Sequence, residues 1–586
     1  MTYLFNQPSD FARELTEGFV AAHSDKVRQV PGGVVRSTRS PEGSVAIVVG
    51  GGSGHYPAFA GLVGQGLAHG AAMGNLFASP SAQQICSVAR AAHNGGGVLL
   101  TFGNYAGDVL HFGQAKARLN AEGIPCELLA VTDDISSAPP EEWQKRRGVA
   151  GDLAVFKAAA AAAEAGYDLA AVLAVAERAN QRTRSFGVAF SGCTLPGADH
   201  PLFTVPEGMM GVGMGIHGEP GIHDAPISSA DELAELLVDA LLKEVPQAVS
   251  ALSGQRLSVV LNGLGGVKYE ELFVVYRRVA QQLTAQGLTI VEPEVGELVT
   301  SFDMAGLSLT LFWLDEELER FWRAPANTPA FRKGSMTVAE PREECEFNVE
   351  QDSIPEATPA SREAAQCVAA ALVAARDVVV ANVDELGRID AVAGDGDHGI
   401  GMERGVEAAA ETAASMLERQ AGAGTLLQRA ADAWADRAGG TSGAIWGVAL
   451  NALGTALGDS AKPDGARVAL GIRQAAEGIM HFGKAKAGDK TLVDALLPFS
   501  DALTQRVNAG EALPQAWLKA AQVAQQAADA TAQLRPKIGR ARPLAEKSLG
   551  TPDAGAISLA MILNAVAAVL NQGHAEHAAV QETQAQ

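Results

Sequence analysis

The sequence predicts a multidomain chain, with an α/β fold in its N-terminal part and an all-α fold in its C-terminal part. Three observations support this prediction. The chain has 586 residues, several times the roughly 100 to 200 residues of a typical domain. From Val45 to Leu314, short β-rich runs alternate with helical stretches. From Ser361 onward β-branched runs nearly vanish, and Ala, Leu, Gln and Glu dominate.

The N-terminal part is predicted to contain sheets that are covered by helices on both faces. Its β-rich runs are continuously apolar rather than alternating, which is typical of strands buried on both sides. The segments between them have the spacing of amphipathic helices, as in DELAELLVDALLKEV. The strand candidates are SVAIVVG, GVLLTFG, ELLAVTDD, SFGVAF, RLSVVLNGLG, LTIVEPEV and LSLTLFWL.

Between Pro325 and Pro359 the alternation gives way to a polar segment rich in Pro and Glu, which predicts a linker. Beyond it, SREAAQCVAAALVAARDVVVANVDELGRID carries apolar residues at helical spacing and predicts a helical bundle. We therefore place an N-terminal domain at residues 1–330, a linker at 331–360 and a C-terminal domain at 361–578.

Composition and charge exclude several classes of protein. Hydrophobic residues reach 47% and charged residues only 19%, which places the chain outside the disordered class. The net charge of -22 argues against nucleic-acid and anionic-membrane partners and favours small molecules. The five cysteines contain no C-x-x-C pair, so we expect neither disulfides nor structural zinc. No export signal is visible, and the apolar stretch SLAMILNAVAAVL is predicted to be too short to span a bilayer, so we expect a cytoplasmic protein.

A glycine-rich turn follows the first predicted strand, where SVAIVV runs into GGGSGHYP. Clustered glycines allow backbone N–H groups to approach a polar ligand closely. The turn is not a dinucleotide fingerprint, whose third glycine would fall on His55, and it lacks the Lys and Ser/Thr of a P-loop. We interpret it as a ligand loop, with a plain strand-to-helix turn as the competing interpretation.

Two further glycine-rich loops carry polar side chains. Asp108 follows the strand GVLLTF, where open α/β sheets bind ligands, but it is equally compatible with an N-cap of the next helix. His217 lies in VGMGIHGEPGIHD, where the flanking glycines are expected to leave its imidazole uncovered. With His55, these residues indicate a site where an imidazole acts as base or nucleophile on an uncharged, hydroxyl-bearing substrate.

The segment RIDAVAGDGDHGIGM brings three carboxylates together in the C-terminal part. Asp390, Asp395 and Asp397 are separated by glycines, which disfavour a helix. In an extended segment Asp395 and Asp397 would project from one face roughly 6.6 Å apart, and Asp390 would complete the set. Hard oxygen ligands favour Mg²⁺ or Ca²⁺ over zinc, and the spacing is not that of an EF-hand. A solvated acidic turn is the competing interpretation.

Two later motifs suit a nucleotide. RAGGTSGAIWG places Thr441 and Ser442 at an expected helix start, where free N–H groups bind anions, unless one of them simply caps the helix. GRARPLAEKSLGTPDAGAISL supplies Arg540 and a turn before another apolar helix. Together with the three carboxylates, these motifs indicate a Mg²⁺–nucleotide site built on helix ends.

Seven motifs occur in the order found in the dihydroxyacetone kinase family, and nearly the whole chain resembles the single-chain, ATP-dependent form of that family. The motifs are GGGSGHYP, GNYAGDVLHF, CTLPGADHP, GMGIHGEPG, GDGDHG, GGTSGA and GDKTLVDALLP. The resemblance implies a ketose-binding K domain of two α/β subdomains fused to a nucleotide-binding L domain, which is a barrel of antiparallel helices. It also implies ATP and Mg²⁺ as cofactors, and a homodimer in which the L domain of one subunit serves the K domain of its partner.

The resemblance also implies roles for individual residues. His217 would form a reversible covalent hemiaminal with the ketone carbon, while His55 and Asp108 would handle the proton of the terminal hydroxyl. The substrate loop would be lined by Gly52, Ser53, Gly103 and Asp108. Mg²⁺ would be held by Asp390, Asp395 and Asp397. The nucleotide would lie near His398, Thr441, Ser442, Gly488, Arg540, Asp553 and Gly555.

Two departures from the family pattern bear on the substrate. Gly103-Asn104-Tyr105 stands where dihydroxyacetone kinases usually have Lys-Asn-Tyr, which removes a long cationic side chain beside the substrate loop. This form resembles relatives that act on four-carbon ketoses, so we expect an erythrulose kinase, with dihydroxyacetone as the second choice. Ala554 replaces the Pro of a usual Asp-Pro-Gly, and the turn should tolerate it. The remaining alternatives are a carrier-dependent phosphotransferase, a nonenzymatic ketose sensor, and a lyase that releases a cyclic flavin phosphate from FAD.

Overall fold

The computed structural model describes residues 2–219, 221–341, 354–394, 396–538 and 545–584. The chain forms two compact units, Met1–Glu344 and Cys345–Gln586. The first unit combines sheets and helices and the second is helical, so the predicted fold class is confirmed. Two predicted site residues, Asp395 and Arg540, lie outside the described residues, as do positions 342–353 of the predicted linker.

The first unit contains two large sheets and eight helices within its described residues. The strands are β1 (Val27–Val30), β2 (Gly33–Arg36), β3 (Ala46–Ser53), β4 (Gly70–Leu76), β5 (Val98–Gly103), β6 (Cys126–Val131), β7 (Thr183–Ala189), β8 (Met209–Val212), β9 (His223–Pro226), β10 (Arg256–Gly263), β11 (Thr289–Ile290), β12 (Glu294–Gly296), β13 (Gly306–Leu314), β14 (Ala326–Asn327) and β15 (Arg332–Lys333). The helices are α1 (Phe11–Ala22), α2 (Ala82–Ala92), α3 (Ala106–Ala121), α4 (Gly151–Glu164), α5 (Leu169–Gln181), α6 (Ala230–Leu242), α7 (Tyr269–Ala285) and α8 (Glu316–Arg323).

The two sheets differ in how their strands pair. The six-stranded sheet has the order β1-β2-β4-β3-β5-β6, in which β3, β4, β5 and β6 run parallel. The seven-stranded sheet has the order β11-β10-β13-β7-β8-β9, with β12 also paired to β10. It is mainly antiparallel, because only β11 and β12 run parallel to β10. Because these four strands are parallel, the loops that follow them lie at the same edge of the first sheet.

Helix α4 lies between the two sheets and is buried along nearly its whole length. Its sequence GDLAVFKAAAAAAE presents small residues on every side, so strands of both sheets can approach it closely. A helix that is apolar all round belongs in the core rather than at the surface. The core around it joins Val49 and Leu99 of the first sheet to Val260 and Phe312 of the second. The sheets are thus two layers of one unit.

The first part of the predicted linker region packs on the first unit. β14 and β15 pair with each other, and Phe331 between them is 3% exposed. Isolated bridges join Gln65 to Asn327 and Thr38 to Pro341. The domain boundaries at residues 330 and 361 stay predictions.

The second unit is a closed ring of helices. Its helices are α9 (Pro359–Val380), α10 (Val383–Asp390), α11 (His398–Glu418), α12 (Ala423–Ala438), α13 (Gly440–Leu457), α14 (Gly465–Gly483), α15 (Val493–Asn508), α16 (Leu513–Ala530), α17 (Ala545–Ser548) and α18 (Ala554–Gln584). From α11 to α16 each helix packs on the next, α16 packs on α18, and α9 contacts both α18 and α11. The core is made of Ala and Leu with a stacked pair, Trp434 and Trp446, whose ring centres are 4.7 Å apart. This arrangement confirms the helical barrel.

One helix corrects the sequence-based expectation about apolar length. Residues Ala554–Gln572 of α18 form a helical segment that is long and apolar enough to cross a membrane, and half of it is buried inside the unit. The prediction that this apolar stretch is too short to span a bilayer is therefore wrong, because the apolar helical segment has 19 residues. The bent pair α9 and α10 passes the same test only if counted as one span. The core helix of a soluble protein passes this test as well, and α18 packs on α9 and α16.

Candidate active site

The glycine-rich turn lies at the edge of the six-stranded sheet where its parallel strands end. β3 ends at Ser53 and the adjacent β5 ends at Gly103. Because parallel neighbours end at the same edge, their loops form a common crevice, which is where α/β sheets bind ligands. Gly54 adopts a φ of 107°, a conformation that L side chains rarely take, and it turns the chain into His55. The predicted substrate residues Gly52, Ser53 and Gly103 thus share one edge.

His55 is buried and held in a single tautomer. Its residue surface is 2% exposed, and its Nδ1 lies 2.7 Å from the carbonyl oxygen of Thr300. A carbonyl can only accept, so Nδ1 carries the proton and Nε2 is left with a lone pair. Burial, and next the neighbouring His217, lower the pKa of His55 to about 3. His55 is therefore neutral at physiological pH and presents a proton acceptor.

His217 lies in the loop after β8, and its ring is enclosed. The side chain is only 14% exposed, so the expectation that the flanking glycines leave it uncovered is wrong. The rings of His55, Phe77 and Tyr105 stand nearly perpendicular to it, with ring centres 4.7, 5.5 and 4.6 Å away. The Nε2 atoms of His217 and His55 are 3.0 Å apart. The structure thus brings the two predicted histidines to one point.

A carboxylate that the sequence did not single out contacts the other side of the His217 ring. Glu219 Oε1 lies 3.1 Å from His217 Nδ1, and Glu219 Oε2 accepts a hydrogen bond from the His217 backbone N–H at 2.9 Å. Behind it, Arg147 lies 3.9 Å from Glu219 Oε2 and 2.8 Å from Asp134 Oδ2. The imidazole is therefore held between a carboxylate at Nδ1 and His55 at Nε2.

Asp108 is held by a hydroxyl from a different loop. It is the third residue of α3, and Tyr105 occupies the cap position, so the N-cap interpretation is wrong. Asp108 is 9% exposed, and its Oδ1 accepts a hydrogen bond from Ser79 Oγ at 2.6 Å. Because α3 follows β5 directly, Asp108 lies at the same sheet edge as the glycine-rich turn.

A second buried carboxyl, Asp152, lies beside Gly103. Asp152 is 2% exposed, and its Oδ1 has no hydrogen-bond partner among the described residues. A Cβ added to Gly103 would lie 3.4 Å from Asp152 Oδ2. Burial, followed by the carboxylates of Asp133 and Asp108, raises the pKa of Asp152 well above its usual value. A side chain at position 103 would therefore lie beside a buried carboxyl whose pKa is raised.

The second unit gathers predicted metal and nucleotide residues at helix ends. Asp390 ends α10, and its Oδ2 accepts a hydrogen bond from the Gly396 N–H at 2.8 Å. Asp397 immediately precedes α11 and has a helical backbone conformation, and Gly396 has a φ of 78°. Gly396 and Asp397 therefore do not have the extended backbone that the sequence predicts, and the Gly396 N–H bonds back to the end of α10. Crowding by surrounding protein and the Asp390 carboxylate raises the pKa of Asp397.

Three further predicted residues lie next to this turn, on α11 and at the start of α18. His398 Nε2 lies 2.9 Å from Ser558 Oγ, which in turn donates to the Gly555 carbonyl at 3.1 Å. Asp553 Oδ2 accepts a hydrogen bond from the Ala556 N–H at 2.8 Å. Desolvation, together with the carboxylates of Asp390 and Asp494, raises the pKa of Asp553 to about 7. His398, Asp553 and Gly555 therefore surround the same acidic turn.

The remaining predicted nucleotide residues lie in two other loops. Gly488 has a φ of 85°, and its N–H donates to Asp494 Oδ1, the carboxylate that also acts on Asp553. Thr441 and Ser442 lie in the first turn of α13, after Gly439, which occupies the cap position, so neither hydroxyl residue is the cap. The backbone N–H groups of Thr441 and Ser442 therefore lie at a helix N-terminus, a position that suits an anion.

The donor set of this turn fits a hard divalent cation. Burial raises the pKa values of Asp397 and Asp553, and the Asp390 carboxylate raises both further, so a cation beside these carboxylates would be favoured. Carboxylate oxygens are the ligands that Mg²⁺ prefers. Over the described residues of the chain, no group of three or more His, Cys, Asp or Glu side chains lies close enough to hold a metal ion. Asp395, the third predicted ligand, lies outside these residues, and its part in a metal site stays a prediction.

Four residues of the first site escaped sequence reasoning for different reasons. Glu219 stands two positions after His217 within the quoted GMGIHGEPG motif, and an acid at that spacing was a usable signal. Thr300 and Ser79 come from remote loops of ordinary composition. Asp152 is marked only by its burial in α4.

The chain matches the models of two known protein domains. The Dak1 domain model matches residues 17–330 and the DAK2 domain model matches residues 392–568. The chain is 85% identical over 571 residues to the L-erythrulose kinase of Pectobacterium atrosepticum, covering 97% of both chains. It is 56% identical over 574 residues to the D-erythrulose kinase of Mycolicibacterium smegmatis, covering 97% of this chain and 98% of the relative.

A solved structure also aligns over nearly the whole chain. It is the crystal structure of the dihydroxyacetone kinase from C. freundii in complex with AMP-PNP and Mg²⁺. The alignment has a TM-score of 0.51 and 30% sequence identity, and it covers 97% of this chain and 99% of that one.

Proposed function

The chain belongs to the dihydroxyacetone kinase family, and on that basis we propose that it is an ATP-dependent kinase of erythrulose, with L-erythrulose as the preferred enantiomer. The proposal is supported by 85% identity to an L-erythrulose kinase over 97% of both chains, against 30% to a dihydroxyacetone kinase. Dihydroxyacetone stays the second candidate substrate. The observation that carries the chemistry is the 3.0 Å contact between His217 Nε2 and a neutral His55 at the sheet edge.

The first unit captures the ketose in this proposal. A short ketose has no charge by which a protein can orient it, so a covalent bond from His217 Nε2 to its carbonyl carbon supplies that orientation. Gly52 and Ser53 line the loop beside the ring. Glycerol and other simple polyols are excluded because they lack an electrophilic carbon. Gly103 places no cationic side chain beside the substrate loop, which favours the larger, four-carbon ketose.

Two groups handle protons around the tethered ketose. Neutral His55 is a proton acceptor whose Nδ1 is fixed by the Thr300 carbonyl. Asp108, held by Ser79, accepts the proton of the terminal hydroxyl as that oxygen takes up the phosphoryl group. Both groups are buried, so bulk water does not compete with the substrate for their protons.

The second unit binds the nucleotide and its metal in this proposal. Asp390, Asp395 and Asp397 hold Mg²⁺, which when bound neutralises charge on the transferred phosphate. The first-turn N–H groups at Thr441 and Ser442 bind phosphate oxygens. The nucleotide also contacts His398, Gly488, Arg540, Asp553 and Gly555. A solved dihydroxyacetone kinase that aligns with the whole chain carries AMP-PNP and Mg²⁺, which supports both cofactors.

Transfer requires the two units to bring ketose and nucleotide together. We propose a homodimer in which the second unit of one subunit serves the first unit of its partner. The chain carries both units itself, which favours direct use of ATP over rephosphorylation by a carrier protein. Its net charge of -22 and scattered cysteines favour a cytoplasmic location.

A coupled assay with ATP as sole phosphoryl donor tests the proposal. The purified full-length chain is given L-erythrulose, D-erythrulose, dihydroxyacetone and glycerol in parallel, and ADP release and product mass are recorded. We expect the highest kcat/KM with L-erythrulose, lower values with the other ketoses and none with glycerol. Highest activity with dihydroxyacetone would show that dihydroxyacetone, not erythrulose, is the preferred substrate. No turnover with any ketose would contradict the proposed kinase activity.

His217→Ala and Asp390→Asn serve as matched variants, because they lie in different units. His217→Ala should abolish ketose capture, seen as an adduct by mass spectrometry, while Mg²⁺–ATP binding persists. Asp390→Asn should weaken Mg²⁺–ATP binding, while the ketose adduct still forms. Loss of nucleotide binding in His217→Ala would contradict the assignment of the two sites.

A further inference from the structure

The hydrogen bonds around His217 fix the number of protons on its ring. His55 Nδ1 donates to the Thr300 carbonyl at 2.7 Å, so the Nε2 of neutral His55 can only accept. His217 Nε2, 3.0 Å away, must then be the donor of that contact. A carboxylate also only accepts, so His217 Nδ1, 3.1 Å from Glu219 Oε1, must donate as well. Each of these contacts is a hydrogen bond when both ring nitrogens carry protons, so the geometry suits a His217 imidazolium paired with the Glu219 carboxylate.

We propose that Glu219 is a positioning residue that keeps the His217 imidazole cationic both before and after the ketose is tethered. The inference rests on the proposed function, since it concerns the same histidine. It adds a carboxylate at Nδ1 that holds the ring and neutralises its charge. Arg147, fixed by Asp134, holds Glu219 in turn.

The total charge of the site is the same before and after the capture step. The Nε2 proton of His217 passes to His55 Nε2 and from there to the carbonyl oxygen of the ketose. The freed Nε2 lone pair forms a bond to the carbonyl carbon, and the π bond of the carbonyl breaks to give a hydroxyl. The product is an N-substituted imidazolium that retains its Nδ1 proton and its single positive charge. Glu219 thus faces the same cation throughout, and no external acid or base is consumed.

The surroundings leave Glu219 as the counter-charge of this cation. The ring faces His55, Tyr105, Phe77 and Glu219, with Arg147 and Asp134 behind Glu219. His55 is neutral, and burial raises the pKa of Tyr105 well above 10, so its phenol is neutral too. A charged hydrogen bond in an enclosed site is worth more than one in water. Removing the charge of Glu219 should therefore weaken the tethered state directly.

The test compares Glu219→Gln, Glu219→Asp and wild type in the full-length chain. Glutamine keeps an oxygen that can accept from Nδ1 but has no charge, whereas aspartate keeps the charge on a shorter stem. Capture is followed by the ¹³C resonance of the hemiaminal carbon of L-erythrulose labelled at its carbonyl. Ring protonation is read from ¹⁵N spectra of chain labelled at histidine, with His217→Ala to assign the signal. Glu207→Gln, an exposed residue upstream in the chain, is the matched control for charge.

We expect wild type at pH 7.5 to show an imidazolium pattern for His217 with and without ketose. In Glu219→Gln the pattern should become neutral, and capture should weaken by at least about tenfold. Glu219→Asp should restore part of the cationic signal. A neutral ring in wild type, or unchanged capture in Glu219→Gln, overturns the inference. Absence of any adduct in wild type instead overturns the proposed function.

Discussion

Replacing Gly218 with alanine tests how closely the backbone of the His217 loop controls capture. Gly218 has a φ of 81°, and a Cβ built on it would lie 2.1 Å from Cδ1 of Phe203. The left-handed backbone by itself costs on the order of 1 to 3 kcal/mol for a non-glycine residue. The contact is far inside van der Waals range, so either the ring or the loop has to move. Phe203 packs against the core, which limits how far its ring can retreat.

The expected magnitude follows from that displacement. A shift of about 1 Å at a reacting atom can cost about 100-fold in rate. We therefore expect Gly218→Ala to lower kcat/KM for L-erythrulose between about tenfold and 100-fold, with weaker formation of the hemiaminal. Urea unfolding should show a loss of about 1 to 3 kcal/mol, which leaves the chain folded.

Gly208→Ala supplies the matched control. Gly208 has a φ of 75°, lies in the turn before β8, and has no atom within 4 Å of a built Cβ. Its substitution should cost the same backbone strain without moving His217, so stability falls while kcat/KM stays near wild type. Equal losses of activity in both variants, or full activity in Gly218→Ala, would refute the reasoning.

Three further outcomes are expected. Ser79→Ala removes the hydroxyl that donates to Asp108, so kcat should fall about tenfold while NMR-detected ketose capture stays unchanged. Asp152 has a raised pKa, so the stability that its protonated form gives wild type is lost as pH rises through the folded pKa. Asp152→Asn should therefore exceed wild type by at least about 1 kcal/mol in urea unfolding at pH 8 and match it at pH 4, and parallel curves would contradict this. Asp390→Asn weakens the acceptor of the Gly396 N–H, and calorimetry should show at least about tenfold weaker Mg²⁺–ATP binding with ketose capture intact.

Local sequence was informative wherever one short segment carries a whole feature. Continuous apolar runs such as that of β13 predicted buried strands, because a strand covered on both faces has no solvent side. Glycines at strand ends predicted the loops that carry His55 and Asp108. The same glycines misled twice, because a glycine frees the backbone without saying what packs over it. Phe77 and Tyr105 cover His217, and the turn between α10 and α11 replaces the expected extended segment.

By itself the sequence determined the division into an α/β part and a helical part and the family resemblance, and it predicted the two histidines that the structure brings together. Hydrophobic periodicity and motif order are local properties of the sequence, so they can be recognised without knowing which residues are in contact. The tertiary structure alone decided the protonation of the site. The Thr300 carbonyl accepts from His55 Nδ1, and the Ser79 hydroxyl donates to Asp108 Oδ1. Both partners come from remote loops, so the sequence around His55 and Asp108 does not show these hydrogen bonds.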